Sequence, residues 1–135
     1  MNRKALGTHL LIEMYGCDPK TLMGVDYVGH SMVRAAQESK ARIVETSFHQ
    51  FQPYGVSGVV VIEESHYTIH TWPEYGYAAV DLFYCSEEVE VDKAVEVLKE
   101  SFKPQYISII EMKRGVLPEV AASKTVFKSK QEMVS

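Results

Sequence analysis

Gly58-Val59-Val60-Val61-Ile62-Glu63-Glu64-Ser65-His66-Tyr67-Thr68-Ile69-His70-Thr71-Trp72 is the stretch that decides the fold. Val59 to Ile62 is wholly β-branched, which suits a strand covered on both faces. From Tyr67 to Trp72 apolar and polar residues alternate, the period of a half-buried strand. The junction between them, Glu63-Glu64-Ser65-His66, contains no Gly, Asn, Asp or Pro. Tight hairpins favour residues that tolerate positive φ, so either this loop is wide or its backbone is held under strain.

Further strands flank this pair. Tyr77 to Phe83 follows the Pro73-Glu74-Tyr75-Gly76 turn, and Ala41 to Phe51 precedes the Pro53-Tyr54-Gly55 turn. Leu6 to Tyr15 opens as a strand and is broken by Gly16-Cys17-Asp18-Pro19, where proline fixes φ and lacks an amide donor. Thr21 to Lys40 reads as a helix, or a turn followed by one, with Val25, Val28, Met32 and Ala36 recurring on one face. Asp92 to Phe102 is a second helix with Val91, Val95, Leu98 and Phe102 on one stripe, and Tyr106 to Met112 closes as a strand. Beyond Gly115 and Pro118 the tail turns polar and is expected to fray.

Short turns between successive strands imply antiparallel pairing. The order predicts a single α+β domain over residues 1–135: a two-layer α/β sandwich, its antiparallel sheet carrying two main helices on one face. Two helices shield only one side, whereas Val59 to Ile62 wants cover on both. A homodimer with the sheets packed together, αββα, is the simplest remedy.

Composition limits the function. At 135 residues, 46% hydrophobic and 24% charged, the chain can hide roughly two-thirds of its unfolded surface. Fourteen basic against eighteen acidic residues, a net charge of −4, leaves no basic stripe for nucleic acid. Two cysteines, Cys17 and Cys85, are too few for a disulfide scaffold, so a reducing, cytoplasmic setting is expected. No apolar stretch approaches about 18 residues, so no membrane partner is expected either. The chain is also short for the large folds that hold borrowed organic cofactors.

His66, Thr68, His70 and Trp72 share one strand face by period-two counting. On a strand, His66 and His70 lie roughly 13 Å apart and cannot grip one ion, so no metal is expected. The same region holds a hydroxyl (Ser65), an imidazole (His70), a carboxylate (Glu74) and a thiol (Cys85). A hydrolase triad is disfavoured, because no Gly-x-Ser-x-Gly elbow precedes a helix. Spacing alone indicates a small-molecule site near the central hairpin.

The string Phe51-Gln52-Pro53-Tyr54-Gly55-Val56-Ser57-Gly58-Val59-Val60-Val61-Ile62, followed by Glu64-Ser65-His66, resembles the small prokaryotic S-adenosylmethionine decarboxylases. Thr68-Ile69-His70-Thr71-Trp72-Pro73-Glu74-Tyr75-Gly76-Tyr77-Ala78-Ala79-Val80-Asp81-Leu82-Phe83 and Cys85 extend the likeness. It is dense from Phe48 to Cys85, weaker over the opening strand and both helices, and fades after Gly115.

The resemblance implies a proenzyme that cuts itself between Glu64 and Ser65, giving a β chain of residues 1–64 and an α chain of 65–135. Ser65 would become a pyruvoyl group, the electron sink that binds substrate as a Schiff base, with no pyridoxal phosphate and no metal. By the same resemblance His70 is the processing proton acceptor, Ser57 supports processing, and Cys85 is the catalytic proton donor. Glu74 matches a ribose-binding carboxylate, Trp72 and Phe51 are adenine-stacking partners, and Glu13 adds negative charge for a cationic substrate. The implied activity is decarboxylation of S-adenosylmethionine to the aminopropyl donor for spermidine synthesis. Arginine or ornithine decarboxylation by the same chemistry is one alternative, and a non-enzymatic ligand-binding α/β module is another.

Overall fold

The computed structural model of the chain describes residues 5–117 and 127–134. In chain order the elements are β1 (Ala5–Tyr15), a 3-10 turn (Pro19–Leu22), α1 (Val25–Glu38), β2 (Ile43–Gln50), β3 (Val56–Ile62) and β4 (Ser65–Trp72). A second 3-10 turn (Pro73–Tyr75), β5 (Tyr77–Tyr84), α2 (Val91–Phe102), β6 (Tyr106–Val116) and β7 (Phe127–Met133) follow. One sheet runs in the order β2-β3-β4-β5-β1-β6-β7, and every neighbouring pair is antiparallel.

The apolar spacing explains where the helices lie. Val28, Met32, Ala35 and Ala36 of α1 and Ala94, Val95, Leu98 and Phe102 of α2 are buried. They join Leu10, Ile12, Met14, Val60, Tyr67, Ile69, Val80 and Leu82, the inward residues of five strands counting Ile107 of β6, in one core. Each fully buried large apolar side chain stabilises the fold by about 1.5–3 kcal/mol. Tyr67 brings a hydroxyl into that core, 2.9 Å from the equally buried Ser39 hydroxyl, so its polar end keeps a partner. At Gly58 of β3 an added Cβ would lie 1.9 Å from the Phe48 ring, so only glycine lets β2 lay that ring across β3.

The alternate residues of the same strands form the opposite, open face. Leu11, Tyr15, Trp72, Ile110 and Met112 are exposed large apolar groups there, with Val59, Val61 and Ala79 half-buried beside them. A lone sheet with one covered face leaves this kind of apolar surface.

The structure agrees with the predicted two-layer arrangement and corrects one end of it. The tail was expected to fray, yet Phe127–Met133 pairs antiparallel with β6 from Tyr106 to Met112. Residues 118–126, which belong to the same expectation, lie outside the described residues. β7 has almost no apolar alternation to betray it: Lys128, Ser129, Lys130, Gln131 and Glu132 are all polar. Its place comes from ladder hydrogen bonds to the β6 edge and from ion pairs such as Lys99 Nζ to Glu132 Oε2 at 3.3 Å. Among the described residues no helix is long and apolar enough to cross a membrane.

Candidate active site

The β3–β4 hairpin pairs Ile62 directly with Ser65 and leaves only Glu63 and Glu64 to turn the chain. Of the two possibilities left by the sequence, the held backbone is therefore the one observed. Glu64 sits at φ +61°, a left-handed conformation that costs a residue with a Cβ roughly 1–2 kcal/mol. Two contacts oppose that cost. The Glu63 amide donates to the Arg42 carbonyl at 3.0 Å, and the Cys85 thiol donates to the Glu64 carbonyl at 3.2 Å.

Ser65, the next residue, is 9% exposed, and its Oγ has no hydrogen-bond partner. Such a group costs about 1–3 kcal/mol, so ordinary selection for stability would remove it. An uncommitted hydroxyl thus abuts a peptide carbonyl whose own residue is strained and whose oxygen accepts a thiol proton. Those are the parts needed for attack by a side chain on its own backbone. A cleft of about 550 Å3 opens here, lined by Lys40, Arg42, Glu64, Ser65, Cys85 and neighbouring residues.

Cys85 reaches the turn because β1 comes close to it. A Cβ at Gly7 would lie 3.2 Å from Cys85 Sγ and 2.8 Å from the Phe83 ring. The other thiol is different in kind, since burial pushes Cys17 up to about 12 and leaves it inert at neutral pH.

A second cluster lies at the far end of β4. Register places Ser57 of β3 opposite His70, and Ser57 Oγ is 2.7 Å from His70 Nδ1. Trp72 follows on the same face, its ring centroid 6.4 Å from that of His70. With Glu74 on the following 3-10 turn and Phe51 and Tyr54 on the β2–β3 loop, they line a cleft of about 330 Å3. Beside it runs a row of rings, Trp72–Tyr77 at 5.3 Å, Tyr77–Tyr15 at 5.4 Å and Tyr15–Tyr106 at 5.9 Å. Tyr77 donates its hydroxyl to Glu13, and burial together with that carboxylate raises the phenol well above its ordinary range. Glu13 is thereby committed to Tyr77 and lines neither cleft.

The residues singled out in the sequence therefore fall into two groups. Glu64, Ser65 and Cys85 come together, and so do Phe51, Ser57, His70, Trp72 and Glu74. Ser65 and His70 are five residues apart on one straight strand, which separates them by roughly 16 Å and points them to opposite faces. Between the groups, the open face carries His9 Nε2 at 3.1 Å from Asp81, Thr68 donating to the same carboxylate at 3.3 Å, and Arg114 at 3.2 Å from His9. Burial, then the neighbouring His9, lowers the His66 imidazole from its ordinary value. Sequence reasoning missed Tyr54 and Gly7. The Pro53-Tyr54-Gly55 turn was visible, but not that it aims a ring into the cleft, and nothing local marks Gly7 as a close approach.

A seven-stranded antiparallel sheet backed by two helices, with a strained turn that sets an unpartnered serine beside a thiol-bonded carbonyl, defines a two-layer α+β class of protein. Comparison with known proteins makes this specific. The S-adenosylmethionine decarboxylase family model matches residues 8–115. The S-adenosylmethionine decarboxylase proenzyme of Thermotoga maritima is 54% identical over 117 residues, 87% of this chain and 90% of that one. That of Fervidobacterium nodosum is 55% identical over 117 residues, 87% of this chain and 85% of the relative. Among solved structures, the adenosylmethionine decarboxylase of Aquifex aeolicus superposes with a TM-score of 0.80 at 31% identity, covering 87% of this chain and 97% of that one. The chain belongs to the S-adenosylmethionine decarboxylase family.

Proposed function

We propose that the chain is a proenzyme that severs its own Glu64–Ser65 peptide and then decarboxylates S-adenosylmethionine, supplying an aminopropyl donor for polyamine synthesis. The observation that carries the reading is the idle Ser65 hydroxyl beside the strained Glu64 carbonyl.

Self-cleavage follows from these groups. Ser65 Oγ adds to the Glu64 carbonyl carbon, and the Cys85 thiol donates to the carbonyl oxygen as charge grows on it. The C–N bond breaks, so Glu64 becomes esterified to Ser65 and the Ser65 nitrogen is freed. Removal of the Ser65 α-proton breaks the Cβ–O bond, and Glu64 leaves as a carboxylate. Hydrolysis of the resulting imine releases ammonia and leaves a ketone on residue 65. After these steps the side chain of residue 65 is a methyl group, which needs no hydrogen-bond partner in the buried place where Ser65 Oγ has none. Once formed, the pyruvoyl group supplies the electron sink for charge left behind when CO2 departs. Cys85, at the same cleft, then delivers a proton to the substrate Cα.

Proton abstraction is assigned to His70, held by Ser57. Within one protomer His70 is too distant to act on Ser65, and the clefts holding the two groups are separate. A second copy packed across the open apolar face would bring the partner subunit's His70, and the Phe51–Trp72–Glu74 cleft with it, to the open side of the β3–β4 turn. There the Ser65 backbone and its α-proton, not the inward hydroxyl, would meet it. Stacked sheets lie about 10 Å apart, within reach of such side chains. In that cleft Phe51 and Trp72 offer ring faces to adenine and Glu74 accepts from the ribose hydroxyls.

Intact mass of freshly purified protein is expected to show two chains, residues 1–64 and a 65–135 fragment lacking a free amine. CO2 is expected from S-adenosylmethionine and not from arginine or ornithine. A single uncut mass with full turnover would overturn the reading.

Gly7 offers a second test. Gly7→Ala crowds Cys85 and Phe83 and leaves Glu63, Glu64 and Ser65 themselves unchanged. Misplacing a catalytic group by about 1 Å costs up to roughly 10²-fold in turnover. A drop of about 10- to 100-fold in kcat is expected, with KM within about two-fold and cleavage still complete by mass.

A further inference from the structure

The β2–β3 loop, residues 51–55, carries Phe51 and Tyr54, which are 47% and 37% exposed yet form one wall of the nucleoside cleft. Phe51 meets the His49 ring edge-on at 4.5 Å between centroids, but that contact holds only one of the two rings and none of the loop backbone. The backbone on both sides of the loop is tied by Gln50, the last residue of β2. Its Oε1 accepts from the Val25 amide at 2.8 Å, and its Nε2 faces the carbonyls of Met23 at 2.8 Å, Gly55 at 3.0 Å and Phe51 at 3.3 Å. Only one orientation of the amide satisfies an N–H on one side and three carbonyls on the other. The backbone closes around the same point, with the Phe51 amide donating to Gly55 at 2.8 Å and the Gly55 amide to Met23 at 3.3 Å.

Val25 is the first residue of α1, and the preceding Gly24 gives that helix no side-chain cap. Gln50 supplies the cap from another element, and so ties the loop to the rigid helix end. A wall ordered before the ligand arrives spares the ligand the entropy of ordering it.

We infer that Gln50 is a positioning residue for substrate affinity: it holds the Phe51–Tyr54 loop in its nucleoside-receiving form. This rests on the proposed reading of that cleft. Because Gln50 lines neither cleft, it acts on KM and not on the bond-breaking steps.

The test uses full-length, self-processed enzyme with S-adenosylmethionine as substrate and 5′-methylthioadenosine as a ligand lacking the amino-acid end. Gln50→Ala is expected to raise KM and weaken the nucleoside about 10-fold, with kcat within about two-fold and cleavage complete. Gln50→Glu keeps the acceptor for Val25 but turns a carboxylate on three carbonyls. It should match Gln50→Ala in KM, and it carries the test if the alanine variant does not fold. In a background with both Phe51→Ala and Tyr54→Ala, Gln50→Ala should add less than about two-fold, because its effect passes through those rings. An unchanged KM in both Gln50 variants, a kcat falling in step with kcat/KM, or effects that still multiply in the background lacking both rings each overturn the inference. If Phe51→Ala itself leaves KM unchanged, the nucleoside reading of the cleft fails instead.

Discussion

Ser65→Ala is expected to yield one uncut 135-residue chain whose CO2 release from S-adenosylmethionine falls by more than about 10⁴-fold. Both losses have one origin, since the residue whose hydroxyl is proposed to attack Glu64 is also the one whose Cα would become the ketone carbon. Measured against the uncut precursor, which still carries the Ser65 hydroxyl, stability should move the other way. Alanine removes a buried hydroxyl without a partner, and relieving such a group is worth up to about 1–3 kcal/mol. For a domain of this size that corresponds to a rise in Tm of a few degrees. A thermal melt beside the mass spectrum therefore separates an inactive but better-folded protein from a damaged one. A cut Ser65→Ala chain, or one that still releases CO2, would remove Ser65 from the chemistry.

His70→Ala should slow self-cleavage by about 10²- to 10⁴-fold, the usual contribution of a positioned general base. The block falls after the ester has formed, so hydroxylamine, which cleaves esters and spares amides, should release residues 1–64 from the variant. The more decisive arm concerns where the base comes from. Co-expressing His70→Ala with Ser65→Ala, under two different tags, produces mixed dimers. Reach across the dimer predicts that the His70→Ala chain is cut in these, because its Ser65→Ala partner still carries an imidazole. Action within one protomer predicts no cutting in either chain. Ordinary cleavage of His70→Ala on its own would remove the histidine from processing altogether.

Much of the architecture could be read from residue patterns. The wholly β-branched Val59–Ile62, the alternation up to Trp72 and the three- and four-residue steps of Val28, Met32, Leu98 and Phe102 each report a local period that the packing then uses. β7 could not be read in this way, because Lys128 to Glu132 has no apolar period and is held by a neighbour's edge. The turn was legible as an anomaly: two glutamates where the geometry wants glycine, with Glu64 at φ +61° as the outcome. The site was harder. Phe51, Ser57, Ser65, His70, Trp72, Glu74 and Cys85 were reached through family likeness, and linear closeness suggested one cluster. The spacing that excludes a metal between His66 and His70 also parts Ser65 from His70. Gln50 and Gly7 left no trace, because a loop clamp and a close backbone approach are made by contacts 25 and 78 positions apart in the chain.

The sheet order determines how the two pieces would be held if the Glu64–Ser65 bond were cut. The amino-terminal piece owns β1, β2 and β3, yet β1 is threaded between β5 and β6 of the carboxy-terminal piece, while β3 stays zipped to β4. Three seams interlock the halves, so a nick at the hairpin tip frees no strand and lets neither half drift away. A cut there would thus release local tension at a single point while leaving these three pairings in place.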